Sequence, residues 1–205
     1  MSVTTAPAVG ALPGWFGKLP GIGDFAHRRL PEAFRETWDT WLQTNLLTLR
    51  ERHEDWVARY LEGPLWFFVL GEQVAGANAW IGVLMPSVDG VGRYFPFTLA
   101  AELALPPDPA RMQHWWTHAS QAALEGLEQD LDAVAFDALL TRRFEGTAPV
   151  DGTGVLPALP QSGQSVWCTD PADAGAAQMT TAGLPRGPRF EALFGFADAS
   201  DPEVA

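Results

Sequence analysis

Apolar residues recur every three or four positions in four stretches of the chain, which is the period of an amphipathic helix. Pro31 stands just before the first stretch, where a helix tolerates a residue without an N–H, and Gly63-Pro64 ends the second. Asp132 is placed to cap the fourth. The four predicted helices contain, in order, Phe34, Trp38, Trp41, Leu42 and Leu49; Trp56, Tyr60 and Leu61; Met112, Trp115, Trp116, Ala119, Ala122, Ala123 and Leu127; and Phe136, Leu139, Leu140 and Phe144.

Shorter apolar runs between helix breakers predict strands. Residues 65–70 form a continuous run of this kind, flanked by Gly63-Pro64 and Gly71, and its length is typical of a buried strand. Pro96 cannot donate to a sheet ladder, so its strand is expected to lie at an edge there or to begin there. The predicted strands are residues 14–19, 65–70, 79–85, 94–102 and 165–169.

The order of these elements indicates the fold class. Strands and helices come in blocks instead of alternating one by one, which favours an α+β fold, a single domain with a small antiparallel sheet flanked by helices. We expect residues 14–145 to form the core domain and residues 146–197 to form a C-terminal extension that packs on it. Residues 1–13 are small and uncharged and predict a flexible leader, while residues 198–205 predict a loose, acidic tail.

Composition supports a globular protein with a large apolar core. Hydrophobic residues make up 47% of the 205 residues, and the chain has nine Trp and twelve Phe, whose side chains bury roughly 150–250 Å² each. Charged residues are only 19%, against about 25% in typical domains, which argues against disorder. The net charge is −12, and no basic cluster exceeds His27-Arg28-Arg29 or Arg142-Arg143, so we expect no nucleic-acid partner.

Several features favour a cytoplasmic location. Cys168 is the only cysteine, so no intramolecular disulfide can form, which suits a reducing compartment. The first basic residue is Lys18, so the positive start of a signal peptide is missing. The longest apolar runs fall far short of the ~20 residues of a spanning helix, and no membrane insertion is expected.

Two loops, residues 18–29 and 86–93, combine glycine with charge between apolar strands. Glycines at 21, 23, 90 and 92 allow tight turns, which bring charged side chains close to strand ends. Two interpretations remain open: the acids fix the turns by accepting backbone N–H bonds or pairing with arginine, or the loops form a recognition surface for another protein. The candidate partner-binding residues are Lys18, Asp24, Arg28, Ser87, Asp89 and Arg93.

Four short segments occur within residues 14–140 in a distinctive order along the chain. They are Gly14-Trp15-Phe16-Gly17-Lys18-Leu19-Pro20; Gly23-Asp24-Phe25; Trp38-Asp39-Thr40-Trp41-Leu42; and Pro86-Ser87-Val88-Asp89 with Val91-Gly92-Arg93-Tyr94-Phe95-Pro96. In this order they resemble the TagF proteins associated with type VI secretion. Similar proteins tend to carry a polar or basic residue near Ile22 and a basic one near Gly90, so any contact made by those charges is weaker or different here.

The resemblance implies a longin-like fold and a posttranslational repressor of type VI secretion. Such proteins are similar in restraining assembly of the apparatus, and the implied partner is its forkhead-associated scaffold protein, alongside or against a threonine-phosphorylation pathway. A homodimer is left open. A structural subunit of the secretion apparatus is the main alternative function.

The sequence offers few residues for catalysis, and we expect no catalytic residue, metal or cofactor. His114 and His118 have the i, i+4 spacing of half a zinc site, but no third ligand is evident nearby. Cys168 lies in a predicted strand without a neighbouring histidine, which is typical of a buried, inert thiol. The strongest enzyme alternative is a metal-dependent hydrolase that uses Asp24, Asp89 and a histidine such as His27, since carboxylates from two loops can meet at a hard cation.

Overall fold

A computed structural model of the protein describes residues 12–145 and 159–196. The strands in these residues are β1 Gly14–Gly17, β2 Ala26–Arg28, β3 Trp66–Leu70, β4 Trp80–Met85, β5 Phe97–Glu102, β6 Gln164–Cys168 and β7 Gln178–Ala182. The helices are α1 Glu32–Arg52, α2 Trp56–Glu62, α3 Pro109–Glu128, α4 Ala133–Phe144 and α5 Pro188–Ala192. The predicted tail, most of the predicted leader and the first part of the predicted extension lie outside the described residues.

The seven strands of the described chain form one open sheet in the order β2-β1-β5-β4-β3-β6-β7. Every neighbouring pair is antiparallel. The prediction of a mixed helix-and-strand fold with an antiparallel sheet is therefore confirmed. The sheet is larger than predicted, because β2 and β7, its two edge strands, were missed.

Helices cover both faces of the sheet, which explains why the central strands are apolar almost throughout. In β3, Trp66 and Phe68 belong to one core cluster with α1, α2 and α5. Val69 and Phe67, which alternate with them, belong to a second cluster with α3 and α4. Successive side chains of a strand point to opposite faces, so burial on both faces gives an unbroken apolar run.

The ends of two elements follow from single residues. Asp132 caps α4, since its carboxylate accepts hydrogen bonds from the backbone N–H groups of Val134 and Ala135, as predicted. Pro96 comes directly before β5, which lies between β1 and β4 inside the sheet. Of the two predictions for Pro96, the start of a strand is correct and the edge position is wrong.

The described part of the chain after residue 159 continues the same sheet. β6 pairs with β3, and the Trp167 ring lies 4.9 Å from the Phe68 ring and 6.2 Å from the Trp38 ring. Phe190 and Phe194 are buried in the same core cluster. No helix within residues 12–145 and 159–196 combines the length and the apolar character needed to cross a membrane.

Candidate functional site

The two charged loops predicted from the sequence meet at one end of the sheet, and we call residues 18–25 and 86–95 together the corner. They meet because β1 and β5 are antiparallel neighbours, with Phe16 opposite Thr98, so that the end of β1 lies beside the start of β5. Gly17 ends β1 with a φ of +126°, and a Cβ there would lie 2.2 Å from the carbonyl oxygen of Pro96. Only glycine fits this close approach.

Asp89 lies at the centre of the corner, and its side chain is fully buried. One carboxylate oxygen accepts hydrogen bonds from Lys18 Nζ at 2.8 Å and from Arg93 Nε at 2.7 Å. The other accepts the backbone N–H groups of Val91 at 3.1 Å and Arg93 at 2.9 Å. Four donors, two of them on cationic side chains, therefore compensate the buried negative charge.

These donors also determine the ionisation of Asp89. Burial by itself raises the pKa of the carboxyl, but the hydrogen bonds from Lys18, Arg93 and Val91 outweigh it and hold the pKa well below its usual range. Asp89 is therefore a carboxylate throughout the physiological pH range.

Ser87 ties the two loops to α2. Its hydroxyl donates to the carbonyl oxygen of Lys18 at 2.6 Å. The Tyr60 hydroxyl donates to the Ser87 carbonyl oxygen and accepts the Ser87 N–H, both at 3.0 Å. Burial raises the pKa of Tyr60 far above its usual value, so the phenol stays protonated and can act as both donor and acceptor.

The outer side of the corner is exposed. The Arg93 side chain is 51% exposed, donates to the Gly23 carbonyl oxygen at 2.7 Å and lies 3.9 Å from the Asp24 carboxylate. Val91 is 73% exposed, and Phe25 is 46% exposed where it packs against the buried Phe95 ring. We call Asp24, Phe25, Val91 and Arg93 the rim.

The structure separates Arg28 from the other five candidate residues. β2 places Arg28 opposite Trp15, at the far end of the β1–β2 hairpin from Gly17. There Arg28 and Arg29 both pair with Asp137 of α4, at 3.1 and 2.5 Å. The Arg29 hydrogen bond is the main reason that the pKa of Asp137 is lowered, with smaller effects from Trp15 and Arg28.

The six candidates thus differ in what they can contact. Lys18, Ser87 and Asp89 are each at most 3% exposed. They can therefore affect binding of a partner only by fixing the conformation of the loops. Asp24 and Arg93 are exposed beside one another. For Asp89, the structure shows the turn-fixing interactions that the sequence left as one of two interpretations.

Sequence reasoning missed Tyr60, which binds the 86–93 loop, and Asp137, which pairs with Arg28 outside the corner. Tyr60 was interpreted only as an apolar helix residue, and Asp137 was not selected at all. Their partners lie 27 and 108 or more residues away, and contacts at such separations leave no local spacing pattern.

The remaining chemical candidates have structural explanations. The His114 and His118 rings lie 4.4 Å apart on α3, and burial, helped by His114 and Arg143, lowers the pKa of His118. In the described ranges, no group of three or more His, Cys, Asp or Glu side chains is arranged to hold a metal ion. Cys168 is buried in β6, where desolvation and then Asp170 raise the pKa of its thiol to about 12.

Comparisons with known proteins agree with this architecture. The chain is similar to the crystal structure of PA0076 from Pseudomonas aeruginosa PAO1, with a TM-score of 0.72 and 31% sequence identity over 89% of this chain and 93% of that one. No curated protein matches the chain. The model of the TagF N-terminal domain, type VI secretion system-associated, matches residues 14–142. The chain therefore belongs to the TagF N-terminal domain family of type VI secretion-associated proteins.

Proposed function

We propose that this protein is a non-enzymatic, posttranslational negative regulator of type VI secretion assembly. It acts by docking its corner on a cytoplasmic component of the apparatus, the forkhead-associated scaffold protein. The observation that carries the proposal is the structure of the corner. The buried Asp89 carboxylate accepts hydrogen bonds from Lys18 and Arg93, and these bonds hold the loops that present the exposed rim. Family membership supplies the link to type VI secretion.

The chemistry of the corner suits docking better than catalysis. Both Asp89 oxygens already accept two hydrogen bonds each, and the Lys18 ammonium is bound to one of them. A hard cation at Asp89 would have to displace these donors and would face two positive charges, which disfavours the metal-dependent hydrolase alternative. The rim instead offers Phe25, Val91 and Arg93, and aromatic residues and arginine are enriched in protein interfaces.

Further expectations belong to this proposal. The family resemblance implies a longin-like fold and a link to threonine phosphorylation, and the single cysteine and short apolar runs favour a cytoplasmic location. The chain is expected to bind neither nucleic acid nor the membrane interior. A homodimer is compatible with the proposal.

The test is a binding titration between purified full-length protein and the purified scaffold protein from the same secretion cluster. The test variant is Val91→Asp, which places a charge on an exposed rim residue and leaves the backbone N–H of Val91 free to donate to Asp89. We expect roughly tenfold weaker binding, about 1.4 kcal/mol, as for loss of a moderate interface contact. Charge reversal at Arg93 is unsuitable, because it would place a second carboxylate beside the buried Asp89.

Ala182→Asp is the matched control, since Ala182 is exposed on β7, at the opposite edge of the sheet from β1 and β2. It should bind as wild type does, and thermal unfolding should confirm that both variants are folded. Unchanged binding by folded Val91→Asp would exclude the corner as the docking surface. Failure of the wild-type protein to bind would exclude the scaffold as partner, and stoichiometric co-purification with assembled apparatus would favour a structural subunit.

A further inference from the structure

The β2 edge of the sheet carries an excess of positive charge. β2 is the outermost strand on its side, so one of its two edges has no strand partner in the part of the chain that the structure describes. We call the four basic residues around it, His27, Arg28, Arg29 and Arg35, the basic edge. The chain as a whole has a net charge of −12, so the basic edge runs against the overall charge.

The cations on the α4 side of β2 share a single carboxylate. Arg28 lies opposite Trp15, which belongs to the core cluster with α3 and α4, and residues opposite one another point to the same face of a sheet. Arg28 and Arg29 both pair with Asp137, and their side chains remain 41% and 30% exposed. Two guanidinium groups against one carboxylate leave one positive charge uncompensated.

A further cation lies on the opposite face of β2, beside α1. His27 lies opposite Phe16, a member of the core cluster that contains α1. Arg35 of α1 donates from Nη1 to Nε2 of His27 at 3.1 Å, and because a guanidinium has no acceptor, that ring nitrogen carries no proton. Arg35 forms no ion pair with any residue that the structure describes. Its positive charge is therefore uncompensated too.

The placement of these cations suits an extended segment that adds a strand to the sheet. An unpaired edge offers backbone N–H and C=O groups to a further strand. Side chains of such a strand alternate between the two faces, so two consecutive acidic residues would reach Arg28 on one face and Arg35 on the other. A small anion bound on one face would leave the cation on the other face unpaired, and like charges oppose pairing with a second copy of β2.

We propose that β2 binds an extended, acidic segment of a partner protein by strand addition. The backbone of the segment pairs with the open edge of β2, and its carboxylates pair with Arg28 or Arg29 on one face and with Arg35 on the other. β2 has three residues and offers few backbone bonds, so charge complementarity selects the partner. The inference concerns the strand edge and stands whether or not the corner binds the scaffold protein.

The probe is a synthetic peptide, Gly-Val-Glu-Glu-Val-Gly, labelled with tetramethylrhodamine and titrated by fluorescence anisotropy into the full-length protein. One companion peptide replaces both glutamates by lysine. The other carries N-methyl groups on its central residues, which removes their hydrogen-bond donors and keeps the charge. We expect the acidic peptide to bind roughly tenfold more tightly than either companion, because only this peptide offers both the carboxylates and the strand donors.

The test variant is Arg28→Gln/Arg35→Gln, which removes one cation from each face of β2. Asp137 keeps its bonds to Arg29 and Trp15, so the packing of α4 on the sheet is retained. We expect this variant to bind the acidic peptide roughly fivefold to tenfold more weakly, as loss of two exposed ion pairs allows. If the variant does not fold, the three peptides compared on the wild-type protein still decide the question.

The matched control is Arg111→Gln/Arg186→Gln, which removes two exposed arginines outside β2, α1 and α4 and changes the net charge equally. It should leave the affinity for the acidic peptide unchanged, and thermal unfolding should show that both double variants are folded. Equal affinity of the lysine peptide or of the N-methylated peptide, an equal effect of the two double variants, or no binding would each overturn the proposal.

Discussion

The Asp89 carboxylate accepts four hydrogen bonds although its side chain is inaccessible to solvent. At the residue scale, this buried charge fixes the path of the 86–93 loop, because two of its donors are backbone N–H groups of that loop. Of the other two donors, Lys18 joins the first loop to Asp89, and Arg93 makes a further bond within the 86–93 loop. Arg93 therefore has two roles, since one nitrogen binds Asp89 and another reaches Gly23 at the surface.

Asp89→Asn should destabilise the protein at neutral pH and change how its stability depends on pH. The folded-state pKa of Asp89 lies below its unfolded value, so its stabilising effect is present above about pH 4 and is lost as the pH falls through the folded-state pKa. The variant lacks this contribution. Urea unfolding at a series of pH values should give a lower free energy of unfolding at pH 7 and a shallower decline below pH 4. Parallel curves for the two proteins would contradict this account.

At the element scale, close packing of β4 depends on a residue without a side chain. A Cβ at Gly82 would lie 2.1 Å from the tip of the Phe68 ring on β3 and 2.7 Å from the Leu99 carbonyl oxygen on β5. The carbonyl oxygen of Gly82 also accepts the Trp116 indole N–H at 3.1 Å, which joins α3 to the sheet. Gly82 is thus a point where β3, β5 and α3 all approach β4 closely.

Gly82→Ala should destabilise the protein by about 1–3 kcal/mol, the usual cost of overpacking a core. The control is Gly23→Ala in the corner, where an added Cβ has nothing within 4 Å. This variant should unfold at nearly the wild-type urea concentration. Equal midpoints for the two variants would mean that β3 and β4 adjust to the methyl group at little cost.

At the scale of the whole molecule, the sheet extends past the residues that carry the family match. The match ends at residue 142, yet β6 supplies the outer neighbour of β3 and carries Trp167 into the main aromatic cluster. Trp41 and Trp66 donate to the carbonyl oxygens of Pro185 and Leu193. These bonds anchor the last described segment to α1 and β3.

A chain ending at residue 145 should therefore fail to fold cooperatively. Its β3 would have a free edge, and Trp38 and Phe68 would lose the Trp167 ring that covers them. We expect a broad, non-cooperative thermal transition by circular dichroism and binding of a hydrophobic dye. A chain ending at Phe196 keeps every contact described above and is the control; a sharp transition for the shorter chain would show that the first 145 residues fold alone.

The local elements were largely predictable from the sequence. Four of the five helices described and five of the seven strands follow from apolar period and from breakers such as Gly63-Pro64, because these act within a few residues. β7 was missed because only Met179 and Thr181 of its five residues are buried, so its alternation of buried and exposed positions is too short to stand out in the sequence. β2 has three residues and no buried one.

The sequence by itself determined where the charged loops lie and that their glycines allow tight turns. Only the tertiary structure decided which loop residues are buried and which form the rim. It also decided that Arg28 pairs with Asp137 instead of lying in the corner. The physical reason is that ion pairs and burial depend on the path of the whole chain, whereas turns and helices depend on neighbouring residues.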